Sequence, residues 1–372
     1  MDARARVFNH HDPYDLKGTE EAFIAAMREN ALFQQAGCAD YARILREQDF
    51  DPASIRSMRD LERLPFLPTL YFKRHKLFAM DEKKLLIQAT SSGTGGIKSH
   101  IGFDNLGMYY GGRMVLTMAR RHRLFSPKPC NYLIFGYERT KENQTAISKT
   151  AYGATFFAPA LHRTYALCWR NGKYELDLKG MKQALLRYSK SPFPVRFMGF
   201  PAYTYFFLSS LREEGIRLQL PAGSKVMFGG GWKQFYTQKV EKETVYRLVE
   251  EVLGVPESGC VEFFGAVEHP ILYCDCARHH FHVPVYSRVI IRDVDTLRPV
   301  PYGTPGLVNL LTPMTKSMPI LSVMTDDIGI LHPSGSCGCG ISSPWLEILG
   351  RVGVKDIITC AAGAEEYLEN QG

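Results

Sequence analysis

Leu86-Ile87-Gln88-Ala89-Thr90-Ser91-Ser92-Gly93-Thr94-Gly95-Gly96-Ile97-Lys98-Ser99 runs from an apolar segment into a loop of small residues that closes on a lysine. Small residues let backbone N–H groups approach an anion, hydroxyls add donors, and the lysine adds charge. The stretch therefore predicts a phosphate-binding loop. Its spacing excludes two familiar versions. The P-loop needs a glycine directly before Lys-Ser and another five residues earlier, but Ile97 and Ser92 stand there. The dinucleotide fingerprint needs a glycine three residues after Gly95, where Lys98 stands. Taken alone, an ordinary flexible Ser/Gly loop reads equally well.

The pattern around the loop sets the fold class. Residues 1–84 read as helical; Glu20 to Met27 has its apolar positions at helical spacing, and Asp51-Pro52 marks a loop. Over 85–280 strand-like runs alternate with helical stretches. The runs are Tyr132 to Phe135, Val195 to Met198, Lys225 to Phe228 and Val261 to Phe264. The helical stretches are Gly180 to Tyr188, Ala202 to Glu213 and Gln234 to Leu253. Such alternation predicts an α/β core with a largely parallel sheet. Several runs end in glycine (Gly136, Gly199, Gly229, Gly265). Ligands in open α/β sheets bind outside the carboxyl ends of strands, so these glycines are expected around one cleft. Over 281–357 the strands Val285 to Arg292, Gly306 to Leu311 and Ile320 to Met324 predict a smaller β-rich subdomain. Residues 358–372 read as a mobile tail.

Composition bounds the function. The 372 residues are 45% hydrophobic and 22% charged, as in a globular chain. No apolar run approaches the ~18 residues of a membrane span, and Asn9-His10-His11-Asp12 stands where a secretory signal would be apolar. A cytoplasmic location and no membrane partner are expected. The net charge of +7 is scattered, with small clusters at Lys83-Lys84 and Arg120-Arg121-His122-Arg123. It suggests solvated faces and steering of an anionic substrate, and no nucleic-acid motif accompanies it. The cysteines number nine, and four pair closely in sequence: Cys274, Cys276, Cys337 and Cys339. That spacing points to metal rather than to disulfides.

Five features follow in fixed order. They are the Ser91–Lys98 loop, Gly229-Gly230-Gly231-Trp232-Lys233, Phe264-Gly265-Ala266-Val267-Glu268, Met324-Thr325-Asp326-Asp327-Ile328-Gly329, and Leu349-Gly350-Arg351. The set, over residues 85–357, resembles the adenylate-forming superfamily of acyl- and aryl-CoA synthetases and luciferases. Within it the chain looks most like the LuxE-type acyl-protein synthetases, with phenylacetate-CoA ligases next. The resemblance implies the N-terminal-domain fold of these enzymes with a smaller β-rich subdomain, and ATP with Mg²⁺ as cofactors. Ser91, Ser92, Gly93, Thr94, Gly95, Gly96 and Lys98 would hold the β- and γ-phosphates. Glu268 matches the magnesium-associated glutamate, a hard ligand that suits Mg²⁺. Asp327 matches the aspartate on the ribose hydroxyls, and Arg351 an arginine on the nucleotide. Gly229, Gly230 and Gly231, with Phe264 and Gly265, would line the adenine pocket. The sequence departs from the family in two places: Gly95 replaces a hydroxyl residue, and Lys98 comes one place early. Asp356 is the candidate for the acidic residue after Gly-Arg.

Residue chemistry fits that reaction. A carboxylate is ionised at neutral pH and attacks the α-phosphate of ATP without a general base. The protein supplies positioning and charge neutralisation. The superfamily's usual C-terminal domain is expected to be lacking, because the sequence stops at Gly372, soon after Arg351. In LuxE-type relatives a cysteine near the C-terminus accepts the acyl group and passes it to a reductase subunit, and Cys360 is placed to match. A thiolate is the competent nucleophile. The partners expected are a fatty or aromatic carboxylic acid and an acyl reductase subunit or carrier protein. The aromatic segment Phe200 to Phe207 reads either as acid pocket or as core helix. Cys276, His282, Cys337 and Cys339 form a candidate structural zinc set, because thiolate and imidazole are the usual ligands and four close a tetrahedron. Cys274, His279 and His280 are alternative ligands, and reduced structural cysteines are the other reading. Two rivals remain from the sequence: a CoA or carrier-protein ligase of the phenylacetate type, and a non-catalytic nucleotide-binding scaffold of a reductase complex.

Overall fold

The structure is a computed structural model and describes residues 2–90, 100–140, 151–232 and 238–351. The chain opens helical. In α1 (Leu16–Gly37) the Asp15 carboxylate accepts from Gly18 N, satisfying an amide the helix itself leaves unpaired. The device recurs at α2 (Asn105–Arg121), where Asp104 accepts from Gly107 N. Strands and helices then alternate: β1 (Cys130–Tyr137), β2 (Ala160–Arg170), β3 (Lys173–Leu176), α3 (Leu178–Tyr188), β4 (Val195–Gly199), α4 (Pro201–Glu213), β5 (Lys225–Gly229), α5 (Lys242–Leu253) and β6 (Cys260–Ala266). A run of strands completes the described chain: β7 (His269–Cys274), β8 (Phe281–His282), β9 (Arg288–Arg292), β10 (Pro305–Leu311), β11 (Ser322–His332) and β12 (Trp345–Arg351).

The described residues fall into two compact units, one of residues 2–90, 100–122 and 265–351, the other of residues 123–140, 151–232 and 238–264. The helical start and the β-rich stretch, read from the sequence as separate segments, share the first unit.

In the second unit the strands lie in the order β6-β5-β4-β1-β2-β3. All neighbours are parallel except β2 and β3. That last pair turns on Asn171-Gly172, both at positive φ, as a tight hairpin requires. Side chains alternate between faces along a strand. Leu133 and Phe135 of β1, Val195 and Phe197 of β4, and Val226 and Phe228 of β5 pack with Leu185 of α3, Leu208 of α4 and Val249 of α5. The segment Phe200–Phe207 enters α4 with Pro201 in its first turn. Ala202, Phe207 and Leu208 are buried in the core while Tyr203, Tyr205 and Phe206 are only partly covered, so the core alternative describes one face of the helix. The register sets Gly199 beside Phe135 and Phe228, and Gly229 beside Phe263. These strand-end glycines therefore lie along one edge of the sheet.

The first unit is built on an antiparallel sheet, β8-β12-β11-β10-β9, with Leu67–Pro68 added parallel to β11. Register places Asp327 of β11 opposite Arg351 of β12, with an irregularity between Ile328 and Gly329. Gly329 is required there, because a Cβ would stand 2.6 Å from the Glu347 carbonyl oxygen. The backbone segments on either side of residues 91–99, Ile87–Thr90 and His100–Phe103, pair antiparallel. Asp104 ties α2 to the loop before β11, accepting from Thr315 Oγ1 at 2.7 Å and Lys316 N at 2.9 Å. Burial alone would raise its pKa, but these hydrogen bonds win and hold it below the usual range. No helix among the described residues is long and apolar enough to cross a membrane.

Candidate functional site

Antiparallel pairing of β11 with β12 unites two sequence motifs in the first unit. Arg351 reaches across to the tandem acids: one guanidinium nitrogen lies 3.2 Å from Asp326 Oδ2, and Nε lies 4.0 Å from Asp327 Oδ1. Arg351 and Asp326 are partly exposed, so the pair adds little to stability. Its effect is orientation. Asp326 also accepts from Thr69 Oγ1 at 3.3 Å, while Thr325 Oγ1 donates to the Val308 carbonyl at 3.0 Å. Asp327 N donates to Thr325 Oγ1 at 3.2 Å. The Arg351 fork, anchored by Asp326, and the Asp327 carboxylate are thus held on adjacent strands as a donor set and an acceptor.

Glu268 sits in the turn between β6 and β7 and is buried. The next residue, His269, is fully buried and anchors that turn. Its Nε2 is 2.9 Å from Ser287 Oγ. Ser287 Oγ also accepts from the Tyr273 hydroxyl at 2.8 Å and donates to the Leu311 carbonyl at 3.0 Å. One serine proton cannot serve both the carbonyl and the imidazole, so His269 carries its proton on Nε2 and donates. Burial depresses its pKa to about 3, which keeps the ring neutral.

Of the glycines read as nucleotide-lining, Gly229 closes β5 in the second unit and Gly230 has φ +77°. A Cβ added at Gly229 or at Gly231 meets nothing within 4 Å. Their protein neighbours do not demand glycine, so the backbone there is open to an approaching ligand. Trp232 is buried, with Tyr205 and Phe206 of α4 at ring-centroid distances of 5.6 and 6.4 Å. Phe264 lies on β6 in the second unit and Gly265, also on β6, in the first. The loop residues Ser91, Ser92, Gly93, Thr94, Gly95, Gly96 and Lys98, together with Lys233, Asp356 and Cys360, lie outside the described residues.

The structure brings Cys276, His282, Cys337 and Cys339 together, with all four ligand atoms within 4.8 Å of one another. Cys276 Sγ and Cys337 Sγ are 3.6 Å apart, and Cys339 Sγ is 3.2 Å from His282 Nε2. His282 Nδ1 donates to the Ser343 carbonyl at 2.9 Å. That bond fixes the tautomer and leaves the Nε2 lone pair facing the thiols, as a metal-binding imidazole requires. Gly338 and Gly340, at φ +73° and +87°, give the chain its tight turn around Cys339. Burial first, then the adjoining Cys339 and Cys276 thiols, push the Cys337 thiol up to about 12. A divalent cation reverses that by stabilising thiolates. The donor set therefore fits a tetrahedral S₃N site with zinc chemistry. Of the alternative ligands, His279 Nδ1 is bound to Asp275 at 2.6 Å. His280 Nδ1 touches Cys337 Sγ at 3.2 Å, and its ring stacks on Trp345 at 3.7 Å. Cys274 lies buried outside the four-residue group.

Sequence reasoning passed over Thr69, Ser343 and the His269–Ser287–Tyr273 network. The tandem Asp326-Asp327 was a visible signal for the acid that grips Arg351. Thr69 had none, because its contact comes from the start of a separate short helix, Thr69–Arg74, far away in sequence.

The model of the family described as "Acyl-protein synthetase, LuxE" matches residues 9–369. The long-chain-fatty-acid–luciferin-component ligase of Vibrio harveyi is 24% identical over 318 residues, covering 82% of this chain and 78% of that protein. The ligase of the same name from Aliivibrio fischeri is 23% identical over 289 residues, covering 74% and 71%. Among solved structures, 2-hydroxyisobutyryl-CoA ligase in the postadenylation state superposes with a TM-score of 0.66 at 15% identity, over 92% of this chain and 69% of that one. Its open conformation with acyl-adenylate and CoA gives 0.67 at 16% identity, over 92% and 77%. The fold is that of the adenylate-forming ligases.

Proposed function

The chain belongs to the LuxE family of acyl-protein synthetases, and from that premise we propose that it activates a carboxylic acid with ATP and passes the acyl group to a thiol. The observation that carries this reading within the molecule is the register of β11 on β12, which sets Asp327 opposite Arg351. In the proposed reaction the substrate carboxylate oxygen attacks the α-phosphorus, and the bond to the bridging oxygen of pyrophosphate breaks. Asp327 accepts from the ribose hydroxyls. Arg351, gripped by Asp326, meets negative charge on the nucleotide with a donor fork already oriented. Glu268 would hold Mg²⁺, which neutralises charge on the phosphates when bound. The Ser91–Lys98 loop would hold the β- and γ-phosphates, and the open backbone at Gly229 and Gly231 would face the adenine. The Cys/His set would take a structural zinc that takes no part in the chemistry, since four protein ligands leave no open position.

In the second half-reaction a thiolate attacks the acyl carbonyl of the adenylate, a thioester forms, and AMP leaves with the bonding pair. Cys360 is the acceptor in this reading, and an acyl reductase subunit or carrier protein takes the group onward. The acid is of the long-chain fatty class, supported by the names of the two curated relatives. Incubation with ATP and radiolabelled fatty acid is expected to label the chain through a hydroxylamine-sensitive bond. Cys360→Ala is expected to lose more than ~90% of that label while retaining pyrophosphate exchange, because the two half-reactions use different groups. Label that persists in Cys360→Ala moves the acceptor to another residue.

A further inference from the structure

A cavity of about 470 Å³ opens in the first unit, between the segment Asn9–Pro13 and α2, away from the acids and arginine of β11 and β12 in sequence and in lining. Arg113, Thr117, Arg120 and Arg121 line one wall. Their spacing along α2 puts them on one helical face. Among the described residues none of these three guanidiniums forms an ion pair. Arg121 instead lies over the Tyr14 ring, 5.9 Å from its centroid. His10 and His11 complete the rim, with their rings 4.7 Å apart. His10 has a carboxylate near it, Asp15 Oδ2 at 3.6 Å from Nε2. The opposing segment is fixed: Pro13 O accepts from Val285 N at 2.7 Å, and Asp12 Oδ1 accepts from Tyr14 N at 3.0 Å.

The wall is backed from behind. Tyr286 is fully buried, and its ring stacks on Phe8. Its hydroxyl lies against Thr117 and Arg113, both of which line the cavity, so the wall is backed by a rigid buried ring. Three guanidiniums on one helical face concentrate positive charge at the wall. An anion that accepts from several donors at once is the guest that this concentration of positive charge favours.

We propose that this cavity binds a phosphate group of a small anionic ligand. A phosphate carries about two negative charges and several acceptor oxygens, which matches three forked cations and the Thr117 hydroxyl. A lone carboxylate offers one charge and two oxygens. Guanidinium forks engage phosphate bidentately. Two sources have this chemistry: the inorganic phosphate or pyrophosphate pool, and a phosphate monoester carried on an organic thiol acceptor.

The test is calorimetric titration of the full chain with inorganic phosphate, with α,β-methylene-ATP present so that any nucleotide site is filled. One equivalent of phosphate is expected to bind. Arg113→Gln/Arg120→Gln, at exposed positions that leave the fold intact, is expected to weaken it ~10-fold or more. Repeating the titration with pyrophosphate and with 4′-phosphopantetheine separates the sources, since the tighter ligand identifies the pool the cavity draws on. No phosphate binding by the unaltered chain, or binding that the double variant leaves unchanged, overturns the proposal. Binding of phosphate without binding of the ATP analogue upholds the cavity and counts only against the nucleotide assignment.

Discussion

Arg351→Ala is expected to slow acid-dependent exchange of pyrophosphate into ATP roughly 10²- to 10³-fold, the usual cost of removing one preorganised charged donor from a site of charge transfer. The argument starts from the sheet. Pairing of β12 with β11 sets Arg351 opposite Asp327, and Asp326, not Asp327, takes the closer ion pair at 3.2 Å. Asp326 thereby anchors the fork, while Asp327 Oδ1 lies farther off, 4.0 Å from Arg351 Nε. Asp327→Asn should act differently, raising the KM for ATP by ~10- to 100-fold through loss of charge-assisted hydrogen bonds worth about 1.5–3 kcal/mol. Asp326→Asn should have the mildest effect of the three, since it loosens Arg351 without removing it. Arg351 is half-exposed and its ion pairs are solvated, so the thermal midpoint should hardly move. Steady-state exchange kinetics beside a thermal melt check all three. A large fall in midpoint with unchanged exchange would make the cluster structural.

Cys339→Ser is expected to empty the Cys/His set of metal and to lower the thermal midpoint by ~8–16 °C. Zinc bound at about a thousand times its Kd contributes ~4 kcal/mol to the folded state, and ~1 kcal/mol moves the midpoint of a domain this large by about 2–4 °C. The set closes over two distant pieces of chain, Cys276 and His282 on one side and the Cys337–Cys339 turn on the other. Without the metal the pieces are held by short strand pairing at β8, Phe281 with Leu346 and His282 with Trp345, by the His282–Ser343 and Val283–Pro344 hydrogen bonds, and by the His280–Trp345 stack. Metal analysis of freshly purified protein should give about one zinc per chain. Protein that contains no zinc, and whose midpoint zinc and Cys339→Ser both leave unchanged, would make these residues ordinary reduced cysteines.

The parts of the fold most legible in the sequence were those governed by local rules. Strand runs such as Val195 to Met198 and Lys225 to Phe228 became β4 and β5 with one residue added to each. Their periodicity and terminal glycines are properties of the chain itself. The helical stretch starting at Gln234 is shorter as described, with α5 running from Lys242 to Leu253. The run Ile320 to Met324 understated β11, which continues to His332, because acidic residues in tandem obscure strand alternation. What local rules do not carry is pairing across the sheet. Nothing adjacent to Arg351 announces that Asp326 will be its closer partner, since that follows from antiparallel register and the irregularity at Ile328. The Cys/His set was visible because cysteine spacing is itself a geometric statement; His282 already stood in it, and the structure brings His282 to the thiols while His279 bonds Asp275. The buried His269 network was invisible, because its serine and tyrosine are common residues with no motif around them.

Acid-dependent exchange of labelled pyrophosphate into ATP tests the central claim most directly. Purified chain, ATP, Mg²⁺ and a panel of fatty and aromatic acids should give exchange that requires a particular acid, is greatest with a long-chain fatty acid, and falls with Arg351→Ala. ATP binding without exchange for any acid in the panel would contradict the account and leave the chain a nucleotide-binding scaffold.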